Sequence, residues 1–485
     1  MALTSFSFLL FAGVLLILYY LIPRKLQWPL LLVASTVFYL WGGIENVYYI
    51  LFTGAVAYGA TRIIEKNQEK FDKKTAKKKN RLWIILTACV IFGLLAVCKV
   101  RFTFQNILLP LGLSFYMFQS VGYVLDVYRG TVKAEKNPLK LLLFVSYFPQ
   151  LVQGPISKYG TLAPQLFAPH AFDGKQVAFG LQRMLWGFFK KMVIADRIAV
   201  AIVTLKGPGY TGLSFLVLTI FYAVQIYGDF TGGIDIVIGL SEAFGIRLPE
   251  NFVRPFFSKN IAEYWRRWHI SLGEWMKDYI FYPISISAPM RKLSKSARKK
   301  WPNFGKRIPV YAASFATWFC TGIWHGITPN FILWGMMNCV VIVASEELTP
   351  LYEKFHGRFH LKDKKWYGVF EMLRMFMLMN LIRIVDLFPN VGEYFRRMGT
   401  MFTSVKVPFM KLGLTGLDYG ILGCGILLLF AVSLYQEKKG GIREALLKQN
   451  FAIRYALIFL LFLAVLLLGS YGIGYDAGNF IYNQF

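Results

Sequence analysis

The stretch Leu82-Trp-Ile-Ile-Leu-Thr-Ala-Cys-Val-Ile-Phe-Gly-Leu-Leu-Ala-Val-Cys98 carries no charge, and residues 62–81 just before it hold nine lysines and arginines. A run like this approaches the roughly 20 apolar residues needed to cross a hydrocarbon core of about 30 Å. In lipid a single segment can satisfy its own backbone only as a helix. Working outward, similar runs occupy residues 6–22, 211–227, 419–434 and 452–469. Of the 485 residues, 56% are hydrophobic, 17% aromatic and only 16% charged, against about 25% charged in a soluble domain. The chain is predicted to be an all-α polytopic membrane protein. Residues 1–485 form one integral membrane domain: 1–240 supply N-terminal spans, 241–345 a polar and aromatic middle, and 346–485 the C-terminal spans. The run at 6–22 has no basic residue before it and no small-residue cleavage site after it, so it reads as a span rather than a signal peptide.

The formal charge of +28 invites a nucleic-acid reading, but its distribution argues against one. Residues 62–81 carry nine basic side chains and residues 291–307 eight with no acid, both next to apolar runs. Such loops stay cytoplasmic and attract anionic membrane lipids. Anchoring them inside puts both termini outside and calls for an even number of spans, ten to twelve with partial helices. The five cysteines (Cys89, Cys98, Cys320, Cys339, Cys424) have no paired spacing, so neither a disulfide framework nor a metal centre is expected.

The middle of the chain resists span counting. Residues 139–152 contain Pro149 and Gln150, with Gln153 and Pro155 just beyond, and residues 182–202 mix apolar positions with Arg183, Lys190, Lys191, Asp196 and Arg197. Charged or irregular backbone at membrane depth belongs where protein covers it or water reaches it.

Two histidines stand in aromatic surroundings there: His269 in Trp265-Arg266-Arg267-Trp268-His269, and His325 in Gly322-Ile-Trp324-His325-Gly326. An intramembrane ionisable group is costly unless it is used, and imidazole exchanges protons near neutral pH. Residues 261–280 read as one amphipathic helix, with Trp265, Trp268, Leu272, Trp275, Met276 and Tyr279 on one face. That helix either lies in the interface or dips into the protein, offering His269, Arg266 and Arg267 to an anionic substrate. His325 comes sixteen residues after Pro309, about 24 Å along a helix, and Gly326 and Pro329 then break the pattern. Asp229 and Asp235 lie beside glycines at the end of an apolar span. They either orient a histidine, pair with Arg266 or Arg267, or cap a helix. His356 and His360 have metal-compatible spacing but sit in a basic loop with Arg358 between them, which favours a solvated loop.

The segments Leu248-Pro-Glu-Asn251-Phe-Val-Arg-Pro-Phe256 and Glu263-Tyr-Trp-Arg-Arg-Trp-His-Ile-Ser-Leu272 resemble the central signature of the membrane-bound O-acyltransferase family. The likeness is to its bacterial branch, which modifies alginate and peptidoglycan. Leu111–Tyr116, Asp126–Gly130, Tyr147–Pro155 with Gln153, Gly322–Gly326 and the tail Phe480-Ile-Tyr482-Asn-Gln-Phe485 match in order. The resemblance implies a ring of transmembrane helices around a central tunnel, with re-entrant and interfacial helices. It also implies that His325 is the tunnel base and His269 the second signature histidine. Trp268, Trp324, Asn251 and Gln153 become candidate tunnel residues, and Tyr482 a candidate acyl relay. No tightly bound cofactor is implied. The co-substrate is an acyl thioester, acetyl-CoA or acyl carrier protein, and the acceptor a cell-surface polysaccharide or peptidoglycan reached through an extracytoplasmic esterase-like partner of the SGNH type. Where relatives read Asp-Phe-Ser-Gly-Tyr-Ser-Asp, this chain has Asp229-Phe-Thr-Gly-Gly-Ile-Asp235, which keeps both acids but neither the aromatic nor the second hydroxyl. The rival readings are D-alanyl transfer to teichoic acid and, in a different class, a transporter or flippase.

Overall fold

The computed structural model describes all residues except 106, 108, 208, 404–406, 408, 472–479 and 481–485. Every regular element among the described residues is helical, apart from one isolated antiparallel bridge between Phe252 and Trp268. Among the described residues, six helices are long and apolar enough to cross a bilayer: Ile44–Lys70, Lys73–Gln105, Leu213–Ala243, Pro329–Glu347, Gly416–Lys439 and Phe451–Leu468; Phe6–Leu21 is a shorter apolar helix. This is fewer than the ten to twelve spans expected. Gln27–Trp41 has only 15 residues and Leu113–Arg129 only 17, while Pro302–His325 begins with Lys306 and Arg307 in its opening turns.

The basic loops prove to be largely helical. Ile44–Lys70 and Lys73–Gln105 extend well past their apolar cores and meet at Phe71 and Asp72, where the Asp72 carboxylate accepts from the Lys74 and Thr75 backbone N–H groups. The second basic segment forms Ala288–Arg298, whose Ser294 Oγ donates to the Gly305 carbonyl at 2.7 Å.

Packing divides the chain into two units. One comprises residues 1–193, 229–249 and 441–485, the other 194–228 and 250–440. In the first unit, Gly174–Phe188 runs into a π-helical turn, Phe189–Ala195. It packs against the second half of Leu213–Ala243 through facing glycines. A Cβ on Gly180 would lie 2.4 Å from the Gly239 carbonyl oxygen, and one on Gly187 2.5 Å from that of Gly232. Small residues at facing positions let two backbones touch, the usual device for helix association in lipid. This corrects the reading that placed Asp229 and Asp235 at the end of an apolar span, for the helix runs past both to Ala243. The helix continues through its glycines, because a neighbour's backbone occupies the space of their missing side chains. The interruption expected near Pro149 is present, with Pro138–Ser146 and Phe148–Leu151 parting at Tyr147.

Candidate active site

In the second unit, Pro302–His325 continues through Pro309 and stops at His325, whose successor Gly326 closes the helix by donating to the Gly322 carbonyl at 3.1 Å. Pro329 opens the next helix, Pro329–Glu347. The two helices of this hairpin approach closely: a Cβ on Gly335 would lie 2.4 Å from the Trp318 carbonyl oxygen, and one on Gly322 2.7 Å from that of Phe331. That approach encloses the His325 imidazole in rings. It meets Trp324 edge-on at 4.7 Å and Trp334 edge-on at 4.6 Å, and it lies parallel to Phe331 at 6.4 Å. Trp265 and Trp318 extend the cluster, 4.7 Å apart.

His269 is placed by a break that the helical wheel did not foresee. In place of one helix over 261–280 there are Ile261–Arg267 and Ile270–Met276, then a π-helical turn, Lys277–Phe281. Between the first two, Trp268 is extended and His269 takes a left-handed backbone with φ 47°. For a residue other than glycine this costs about 1–3 kcal/mol and persists only when the surroundings impose it. The imposing segment is 251–253. The Val253 N–H donates to the Arg267 carbonyl at 2.9 Å and the Ile270 N–H to the Asn251 carbonyl at 3.0 Å. A strand-like backbone partner has outcompeted the next helical turn.

The fully buried Asn251 side chain completes the clamp. Its Oδ1 accepts from the Ser271 N–H at 3.0 Å and the Ser271 hydroxyl at 2.9 Å, and it lies 3.3 Å from His269 Nδ1. A backbone N–H can only donate, so the amide must present oxygen, and Nδ1 must be the protonated nitrogen of a neutral ring. Nε2 then carries the lone pair. Burial, reinforced by the charge of Arg383, pushes the His269 imidazolium down to about 3, so the ring is neutral throughout the physiological range. His269 touches Trp324 at 6.0 Å. One indole thus borders both histidines.

Trp268 is buried, stacked with Tyr264 at 5.8 Å and with the Arg383 guanidinium 4.0 Å from the indole centroid. Arg383 Nη2 donates to the Tyr264 hydroxyl at 3.0 Å. The two signature arginines part company. Arg267 forms a fork on Glu437 at 2.9 Å and reaches Glu263 at 2.7 Å, with Arg254 on the same Glu437 at 2.6 Å. Arg266 is exposed.

Asp229, Asp235 and Gln153 belong to the first unit. Asp229 pairs with Lys191 at 2.6 Å, and Asp235 with Lys190 at 2.7 Å and Arg183 at 2.9 Å. The lysines lie on the π-helical turn and all four Lys and Asp side chains are largely enclosed. The partners of the two acids are therefore these cations, not a helix terminus or the signature arginines. Gln153 is fully buried, and its Oε1 fills the space over Gly233, where a Cβ would lie 2.0 Å away. This accounts for the glycine that replaces a larger residue of the family pattern. His356 Nε2 lies 2.9 Å from the Tyr367 hydroxyl, and His360 ends an exposed helix. Tyr482 lies outside the described residues.

Sequence reasoning missed Arg383 and the pairing roles of Lys190 and Lys191. The signal was present for the lysines: two adjacent cations in an apolar segment, with two acids six residues apart elsewhere. For Arg383 there was none, because nothing local distinguishes it.

The family model described as MBOAT, membrane-bound O-acyltransferase family, matches residues 133–385. A protein of Pseudomonas aeruginosa named "Probable alginate O-acetylase AlgI" is 34% identical over 344 residues, covering 67% of this chain and 62% of that protein. A peptidoglycan O-acetyltransferase of Helicobacter pylori is 27% identical over 431 residues, 80% of this chain and 74% of the relative. A teichoic acid D-alanyltransferase of Bacillus subtilis is 28% identical over 281 residues, 56% and 67%. The alignment thus spans less than two thirds of the alginate O-acetylase relative. The matched region contains the His269 turn, the His325 hairpin and Arg383, and on that ground the chain belongs to the membrane-bound O-acyltransferase family.

Proposed function

We propose that this protein is an integral membrane O-acyltransferase that passes an acetyl group from a cytoplasmic thioester to an extracytoplasmic polysaccharide or peptidoglycan hydroxyl. The observation that carries the reading is His325, at the end of its helix with an imidazole bordered by Trp324, Trp334 and Phe331. Such a ring can take the proton of an attacking hydroxyl as its oxygen bonds to the thioester carbonyl carbon. Collapse of the tetrahedral adduct breaks the carbon–sulfur bond, and the imidazolium returns the proton to the departing thiolate. Indoles around the base limit competing hydrolysis by keeping water from the thioester. His269, held neutral with its lone pair on Nε2, serves as a hydrogen-bond acceptor rather than as the base.

On this reading acetyl-CoA or an acyl carrier protein delivers the group, no cofactor stays bound, and both termini lie outside. An esterase-like extracytoplasmic partner completes the transfer, with Tyr482 as the candidate relay. The names of the alginate and peptidoglycan relatives support an acetyl group and a glycan acceptor. The D-alanyltransferase relative keeps D-alanyl transfer to teichoic acid as the second reading.

The test is mass analysis of the base-released acyl groups of the surface polymer, from cells with the intact gene, without it, and with His325→Ala. Acetate lost in both altered strains, with the variant present at normal level in the membrane, is the expected result. D-alanine lost in its place selects the second reading. Normal acylation with His325→Ala overturns the proposal.

A further inference from the structure

In the first unit, Phe451–Leu468 has none of its residues buried against protein. It is tied to the body at one end. The Ser470 N–H donates to the Met192 carbonyl at 3.0 Å, and Gly469 lies against Met192. Below that tie it stands away from Gly174–Phe188, leaving a crevice of about 1180 Å³. This exceeds the roughly 300–1,000 Å³ of compact small-molecule sites. Its walls are mostly apolar, with Phe179, Leu185 and Phe188 on one side and Ile458, Phe462 and Val465 on the other, and with Gln182, Thr4 and Ser5 as uncharged polar exceptions. Charge is confined to the end away from the tie, where Lys175 and Arg454 line the opening. Neither cation has an ion-pair partner among the described residues, and the nearby Asp173 is spent on capping the Lys175 and Gln176 N–H groups. From Lys175 to Met192 the wall runs about 25 Å at 1.5 Å per residue, most of the thickness of a hydrocarbon core of about 30 Å.

We propose that this crevice is a binding site for an anionic glycerophospholipid, whose head group lies on Lys175 and Arg454 and whose acyl chain joins Phe451–Leu468 to the body of the protein. The occupant follows from the pattern: a largely apolar slot whose only charges are cations at one mouth fits a molecule anionic at one end and hydrocarbon beyond it. A transmembrane helix would present no such terminal charge requirement. The acyl chain supplies by van der Waals packing the contact that the helix lacks from protein.

The test uses the full-length protein in detergent, analysed by native mass spectrometry and thermal unfolding with added phosphatidylglycerol or phosphatidylcholine. The wild type is expected to retain one phosphatidylglycerol at least tenfold more tightly than phosphatidylcholine and to unfold several degrees higher with it. Lys175→Gln/Arg454→Gln should abolish that preference. Leu185→Trp, which fills the crevice ten residues along the helix from Lys175, should exclude both lipids while the helical circular-dichroism signal is unchanged. Equal retention of the two lipids, undiminished phosphatidylglycerol retention in both variants, or a co-purifying polypeptide in place of lipid would each overturn the proposal.

Discussion

The Arg383 guanidinium lies 4.0 Å from the centre of the Trp268 indole and donates to the hydroxyl of Tyr264, whose ring stacks on that same indole. A cation over a desolvated indole is worth about 2 kcal/mol, and here it fixes the residue next to His269. Arg383→Met should lower acylation about 10–100-fold with protein level maintained. Arg383→Lys should fall nearly as far, because an ammonium cannot both stack flat and reach Tyr264. Activity per amount of membrane-inserted protein is the measurement.

Asn251 gives the pH-dependent prediction. It holds the His269 proton on Nδ1 while the fold keeps the ring far below its ordinary proton affinity. Asn251→Asp places a carboxylate against Nδ1, which favours the imidazolium and raises the His269 pKa. The neutral ring is then lost at a higher pH, so the acid limb of the pH–rate profile should move toward neutrality. Asn251→Ala should lower activity without moving that limb. An unmoved profile in Asn251→Asp would remove Asn251 from tautomer control.

The glycine pairs make a stability prediction. Gly187→Ala pushes a methyl group into the Gly232 backbone, and overpacking of this kind costs about 1–3 kcal/mol. The thermal midpoint in detergent should drop by several degrees. Gly59→Ala, which would meet nothing within 4 Å, should leave it unchanged.

The Lys191–Asp229 pair separates a structural role from a transport role. Removing one member of a buried pair costs about 3–5 kcal/mol, and removing both costs far less. Lys191→Met and Asp229→Asn should each reduce the folded yield, and the double variant should recover most of the yield and of the acylation. A double variant that folds but stays inactive would make the pair part of the transfer path.

Much of the fold could be read from the sequence, because a span announces itself in a single apolar run and His325 is bounded by its own Gly326 and Pro329. The break at His269 could not be read that way. Residues 261–280 have a sound helical period, and what interrupts them is a bond from Val253, a residue outside that window. Asp229 and Asp235 failed for the same reason: their cations lie some forty residues earlier, brought across by Gly180 and Gly187. Glycine in this pair of membrane helices marks direct backbone contact.

The π-helical turn Phe189–Ala195 makes Lys190 and Lys191 sensitive to a one-residue deletion there. A π turn holds one residue more than the regular spiral around it. Loss of one position in this window would restore the narrower coil with the flanking helix in register, so the disturbance falls on the side chains inside the turn. Lys190 and Lys191 would lose their alignment with Asp235 and Asp229, and a deletion should cost more than a substitution at the other positions of this short window.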